Sequence, residues 1–273
     1  RDDYLTYVEL AEHPADPNLL TDPLTHVSGP AIDWTGGGLW MSDRPEVLFG
    51  SIRTRLFSVA GSAYSGGSGD PNDPWRIATP EDLIATGENT QDHGDAFLLV
   101  NDIDMTGHSF TTAVIAPDTD PNDGFQGATF SGTLEGDGHI IRHLVVDDGG
   151  AGNDYLGLVG RNTGLIHDLD VEGVTVSGDE AVGGLVGYNY GTIDSCDVVG
   201  SIAGTGKAIG GLVGGNWGGS ITACHADGAV EGDFWVGGLV GADTGDISLC
   251  RASGNVTASG NYAGGLVGDK WEG

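Results

Sequence analysis

The four-residue phrase Gly-Leu-Val-Gly begins at Gly157, Gly184, Gly211, Gly238 and Gly265, so each copy follows the last by 27 residues. A fixed period of this size belongs to solenoids, propellers and arrays of small modules, in which each unit buries its apolar face only against its neighbours. Aligned on the phrase, the copies place Asn162, Asn189, Asn216, Asp243 and Lys270 in one column, and Ile166, Ile193, Ile221 and Ile247 in a second. A third column holds Leu169, Cys196, Cys224 and Cys250, followed two residues later by Val171, Val198, Ala226 and Ala252. Period two marks a strand with one buried face, and no segment of the repeat has the apolar stripe of a helix. The expected fold is therefore all-β: a right-handed parallel β-helix with three-strand coils of 27 residues, each coil advancing by the strand spacing of about 4.8 Å.

Glycine numbers 50, yet it has no Gly-X-Y period and proline is only 10, which excludes collagen. The paired glycines before the last four copies of Leu-Val-Gly (Gly183-Gly184, Gly210-Gly211, Gly237-Gly238 and Gly264-Gly265) are expected to turn the chain at φ > 0 and to let successive coils approach closely. Tyr155, Val182, Ile209, Val236 and Ala263 share the parity of the phrase's valine and are read as inward. Asn162, Asn189 and Asn216 suggest a ladder of side-chain amides, which the change to Asp243 and Lys270 would interrupt. Cys196, Cys224 and Cys250 read as a file of small buried hydrophobes rather than a metal trio. An odd number without a CxxC also argues against a zinc site or a disulfide framework.

Forty acidic residues against ten basic ones give a net charge of −30, which repels nucleic acid and anionic lipid and suits a secreted or salt-adapted protein. No apolar run is long enough to span a membrane. The N-terminal RDDYLTYVEL lacks the pattern of a signal peptide. An arginine in first place, and a final GGLVGDKWEG that opens another coil, read as a trimmed chain or a fragment of a longer solenoid.

Three regions are expected: an irregular N-terminal arm (1–63), the opening and cap of the β-helix (64–150) and the repeat coils (151–273). Thr79-Pro80-Glu81-Asp82 predicts a short helix over 80–87, with Leu83 and Ile84 covering the first coil. The arm is punctuated by proline but carries Leu19, Leu20, Trp34, Leu39, Trp40, Val47, Leu48 and Phe49, too apolar for a linker. It is expected to pack on a solenoid face, its own or a neighbour's.

The units YLGLVGRNTGLIHDLDVEG, VGGLVGYNYGTIDSCDVVG, IGGLVGGNWGGSITACHADG and VGGLVGADTGDISLCRASG resemble the GLUG-motif repeat of large bacterial extracellular proteins. Upstream, the segment from Tyr64 through FSGTLEGDGHIIRHLVVDD is similar to the N-terminal part of such solenoids, notably in secreted proteins of planctomycete-like bacteria. The resemblance implies a right-handed β-helix, an exported location and a surface, adhesive or carbohydrate-associated role. It supplies no catalytic residues.

Each motif with chemical content has a functional and a structural reading. Asp118, Asp120 and Asn122 hold positions 1, 3 and 5 of a calcium-loop spacing. Asp123, however, stands where that loop needs glycine, so the choice is between a weaker calcium site and a solvated Asx-turn. Asp168, Asp170 and Glu172, read as alternating on one strand, and Asp194 and Asp197 one coil later could pair as hydrolase carboxylates or simply form an acidic face. His139 and His143 read as turn residues, and there is no HExxH, GxSxG or phosphate-loop pattern. Tyr188, Tyr190, Trp217, Trp235 and Tyr262 could present an exposed stripe that stacks on sugar rings or seals a lateral contact, or could be turn cover.

The expectation is an extracellular or cell-surface structural or adhesive protein, not an enzyme and without cofactor unless calcium binds. It would assemble with copies of itself head to tail through the solenoid ends and the N-terminal arm, or contact extracellular polysaccharide. The rival class is a carbohydrate-binding module or polysaccharide-degrading enzyme built on a β-helix.

Overall fold

A computed structural model of the chain describes residues 4–10, 52–58, 63–120 and 124–271. The chain divides into two units, Arg1–Ser62 and Ala63–Gly273. In the first, strands Tyr4–Leu10 and Ile52–Ser58 pair antiparallel, with Tyr7 opposite Arg55, which adds one regular element to the irregular arm expected there. The eight apolar arm residues named above lie outside the described residues.

The second unit is a parallel β-helix. Its first sheet has seven strands and keeps Phe97, Leu134, Ile166, Ile193, Ile221 and Ile247 in register. A second, longer sheet stacks Ile141, Val171, Val198, Ala226 and Ala252, and beyond a bulge Val146, Val176, Ile202, Val230 and Val256. The asparagine column ends the strands Val159–Asn162, Val186–Asn189, Val213–Asn216, Val240–Asp243 and Val267–Lys270. A fourth, short sheet aligns Val182, Ile209, Val236 and Ala263. The repeat coil thus carries four ladders where three were expected, because the segment before each Leu-Val-Gly forms strands of two to four residues with its neighbours. Like side chains lie over like, and burying one of these aliphatic chains is worth about 1.5–3 kcal/mol.

The corners differ from the sequence reading. Left-handed backbone falls on two columns of non-glycine residues: Tyr155, Ala181, Ala208, Trp235 and Tyr262, and Asp168, Ser195, Ala223 and Leu249. The paired glycines serve close approach instead. A Cβ on Gly237 would lie 1.9 Å from the Val240 carbonyl oxygen and 2.6 Å from the Gly268 nitrogen. Tyr155 is not inward, since Leu156 pairs with Val182 and takes the core position while Tyr155 turns outward one residue earlier. Both residues of the first four Leu-Val pairs are buried, the leucine at the corner and the valine opening the asparagine sheet, whereas Leu266 in the last copy is exposed.

The amide ladder is continuous. Asn162 Nδ2 donates to Asn189 Oδ1 (2.8 Å), Asn189 Nδ2 to Asn216 Oδ1 (2.9 Å), and Asn216 Nδ2 to Asp243 Oδ1 (2.8 Å). Lys270 Nζ then donates to the other Asp243 oxygen at 2.6 Å, so the change to Asp and Lys extends the ladder as an ion pair rather than interrupting it. Cys196, Cys224 and Cys250 precede the ladder partners Asp197, His225 and Arg251 and form one file with free thiols. The Cys224 N–H donates to Cys250 Sγ at 3.4 Å.

The N-terminal end is capped by helix α1, Pro80–Glu88. The Thr79 hydroxyl accepts from the Asp82 N–H and the Asp82 carboxylate accepts from the Thr79 N–H, a reciprocal capping box. Leu83 is fully buried and Ile84 packs against the core, as the apolar face of a cap requires.

Candidate functional site

Side chains alternate across a strand, so residues beside the buried asparagines point outward. Their outer column reads Arg161, Tyr188, Gly215, Ala242, Asp269. Just past the strand ends stand Tyr190, Trp217, Thr244 and Trp271, whose N–H groups donate to the carbonyls of Asn162, Asn189, Asn216 and Asp243. Gly215 makes room for the rings: a Cβ there would lie 2.6 Å from both Trp217 Nε1 and Tyr188 Cε1.

The result is a connected aromatic run. Ring centroids are 5.4 Å apart for Phe125 and Tyr155, 4.8 Å for Tyr155 and Tyr188, and 5.8 Å for Tyr188 and Trp217. Trp217 and Trp271 follow at 5.2 Å, and Trp271 and Trp235 at 5.1 Å. Most meet edge to face, the arrangement favoured by the ring quadrupole and worth about 0.5–1.5 kcal/mol per pair. Burial pushes the Tyr188 phenol up, with Tyr155 a lesser cause. Tyr262 stands apart, exposed at its left-handed corner.

Arg161 lies over the faces of two rings, Phe125 and Tyr190. Its guanidinium carbon lies 5.3 Å from the Phe125 centroid and 4.7 Å from that of Tyr190. Its Nε is buried without an acceptor, as is Trp217 Nε1. Lys207 lies 5.8 Å from the Trp235 ring and pairs with Glu180 at 3.1 Å. Arg161 gave no signal in the sequence, because Phe125 and Tyr190 reach it only through the coil register.

The acidic candidates are dispersed. Asp168 sits at a left-handed corner, not on the strand with Asp170, and contacts His167 Nδ1 at 2.9 Å. Glu172 pairs with Arg142 at 3.3 Å. Asp170 and Asp197 are ladder neighbours, and desolvation followed by the Asp197 charge raises the Asp170 carboxyl. Asp194 is half-buried on the first sheet, beside His167 in the ladder. His139 and His143 are more than turn residues. With Arg142 they hold Asp102 and Asp104 at about 2, through hydrogen bonds first from Arg142 to Asp102 and from His143 to Asp104. Asp154, which the sequence did not single out, is raised to about 6, chiefly by desolvation and then by Glu180, Asp179 and Asp118.

In the proposed calcium loop, Asp118 Oδ1 accepts the N–H groups of Thr119 and Gln126 at 2.9 and 2.7 Å, while its other oxygen is buried without a partner. Asp120 is exposed, and Asn122 and Asp123 lie outside the described residues. Among the described residues no three His, Cys, Asp or Glu side chains converge to hold a metal ion, and no helix is long and apolar enough to cross a membrane.

Comparison with known proteins accords with the coil geometry. Residues 178–203 and 205–231 match the family described as "The GLUG motif". The chain carries GLUG repeats. It is 36% identical over 138 residues to halomucin of Haloquadratum walsbyi, a match that covers 49% of this chain. The chain spans about 2% of the length of that relative. A crystal structure from Bacteroides ovatus, described as a candidate immunoglobulin A1 protease, has a TM-score of 0.61 at 20% identity, covering 78% of this chain and 66% of that one. At that identity the likeness concerns the fold alone.

Proposed function

We propose that the chain is part of an extracellular surface protein, in which the β-helix acts as a stiff structural or adhesive element rather than an enzyme. The observation that carries this reading is the GLUG repeat, in a chain similar to halomucin, seated in a solenoid whose ladders run coil to coil through a continuous buried amide file. Quasi-one-dimensional stacking of this kind gives an extended surface without requiring a cleft. The acidic composition, at a net charge of −30, suits exposure to a cation-rich exterior. Labelling intact cells with a membrane-impermeant reagent tests the location: modification of the chain before lysis is expected, and modification only after lysis would overturn it.

Self-assembly is the finer part of the proposal. Helix α1 covers the first coil, so association of solenoid ends would have to displace or bypass it, and lateral contact or the N-terminal arm is the more direct route. Light scattering and negative-stain microscopy of purified chain should show ordered polymers, and monomers at high concentration would refute assembly. Turnover of a polysaccharide by the purified chain would favour the enzyme class instead.

A further inference from the structure

We infer that Arg161 and the rings around it form a binding site for a carboxylate-bearing sugar, a uronate unit of an extracellular polysaccharide. The choice of polysaccharide rests on the extracellular reading above; the chemistry of the site does not.

The first observation is a partly buried, unmatched cation in a chain dominated by acids. Among the described residues Arg76 pairs with Asp73, Arg142 with Asp102 and Glu172, Lys207 with Glu180 and Lys270 with Asp243. Arg161 has neither an ion pair nor a side-chain hydrogen bond among them; its recorded contacts are the faces of Phe125 and Tyr190. The two ring faces beside its carbon hold the guanidinium by cation–π attraction, and no described side chain accepts from its N–H groups. A planar fork held this way matches a carboxylate, whose two oxygens accept in parallel.

The second observation is the surface beside it. Tyr190 is 41% exposed and Tyr188 carries the aromatic run on toward Trp217 and Trp271. Aromatic rings next to a fixed charge suit a ligand with an apolar ring face and one anionic group, which a pyranuronate has and an acidic peptide segment lacks. A nucleic-acid strand would need a groove of many cations along its phosphates, and this site offers one. The net charge of −30 opposes any polyanion at long range, but at 1 M salt that repulsion reaches only about 3 Å. A contact pair beside a partly buried guanidinium is screened less.

The test is isothermal titration in 1 M NaCl with tetragalacturonate and with its carboxyl-reduced tetragalactose form, which differ only at the carboxylates. Saturable binding of tetragalacturonate is expected, weakened about tenfold or more by carboxyl reduction and by Arg161→Gln. Arg161→Lys should lie between, and Tyr190→Ala should weaken binding of both sugars. Arg251→Gln removes an exposed arginine elsewhere and should leave affinity unchanged. Melting curves verify that each variant is folded, and if Arg161→Gln fails to fold, Arg161→Lys and Tyr190→Ala decide the matter. Equal affinity for the two sugars, undiminished affinity in the folded variants, or no saturable binding would overturn the proposal. Any of these could occur with the chain still labelled on intact cells, so the site and the location fail separately.

Discussion

Replacing Asn189 with alanine probes the amide ladder at its centre. Its side chain is fully buried and uses every hydrogen-bonding position: Oδ1 accepts from Asn162 Nδ2 at 2.8 Å and from the Gly191 N–H at 3.2 Å, and Nδ2 donates to Asn216 Oδ1 at 2.9 Å and to the Gly191 carbonyl at 3.2 Å. Truncation strands three groups, namely the Asn162 amide donor, the Gly191 N–H and the Asn216 oxygen. Each buried group left unsatisfied costs about 1–3 kcal/mol. Allowing for partial access of water, the expected loss is about 4 kcal/mol, a large part of the roughly 5–15 kcal/mol typical of a folded domain. With a urea slope of about 2–3 kcal/mol per M, the midpoint followed by circular dichroism should fall by about 1.3–2 M. Asn189→Asp should be comparably harmful at neutral pH, because an ionised carboxylate has no proton to give Asn216. Asp243 tolerates that charge because Lys270 donates to it from the next coil. Losses below about 1 kcal/mol for both substitutions would show that the stacked amides are incidental to stability and refute the reasoning.

Two further outcomes follow from the corners and the surface acids. Leu249 is 86% exposed at φ 56°; Leu249→Gly relieves a left-handed penalty of about 1–2 kcal/mol, partly offset by glycine's extra freedom when unfolded, about 0.5–1 kcal/mol. The melting temperature should therefore rise by about 2 °C, and a fall would refute the corner assignment. Asp154 has its folded pKa raised to about 6, so its penalty is absent below the unfolded value near 4 and grows as pH rises to about 6. Asp154→Asn should raise the melting temperature at pH 7 and leave it nearly unchanged at pH 4; an equal effect at both would contradict the assigned cause.

Much of this fold was legible in the chain because a solenoid turns spacing into contact. Asn162, Asn189 and Asn216 had to meet once coils of equal length were stacked, and Cys196, Cys224 and Cys250, spaced by 28 and 26 residues, still fall in one file. The helix at Pro80 was equally plain, since Thr79 and Asp82 form a local cap. The left-handed corners were not, because Ala181, Ser195 and Leu249 have no intrinsic preference for that backbone and are held there by ladders on both sides. The aromatic run was harder still. Tyr155, Tyr188, Trp217 and Trp271 are not separated by one period, and they meet because long side chains lean across coils into the space left by Gly215. Tyr155 was misplaced because its coil is one residue out of step with the Leu-Val-Gly spacing.

Scalar couplings across hydrogen bonds, measured by NMR on isotope-labelled protein, bear most directly on parallel coil-on-coil stacking. Couplings are expected from the Trp217 amide nitrogen to the Asn189 carbonyl carbon, from Thr244 to Asn216 and from Trp271 to Asp243. Couplings from these amides to strands adjacent in sequence, as in hairpins, would contradict the β-helix and everything built on its register.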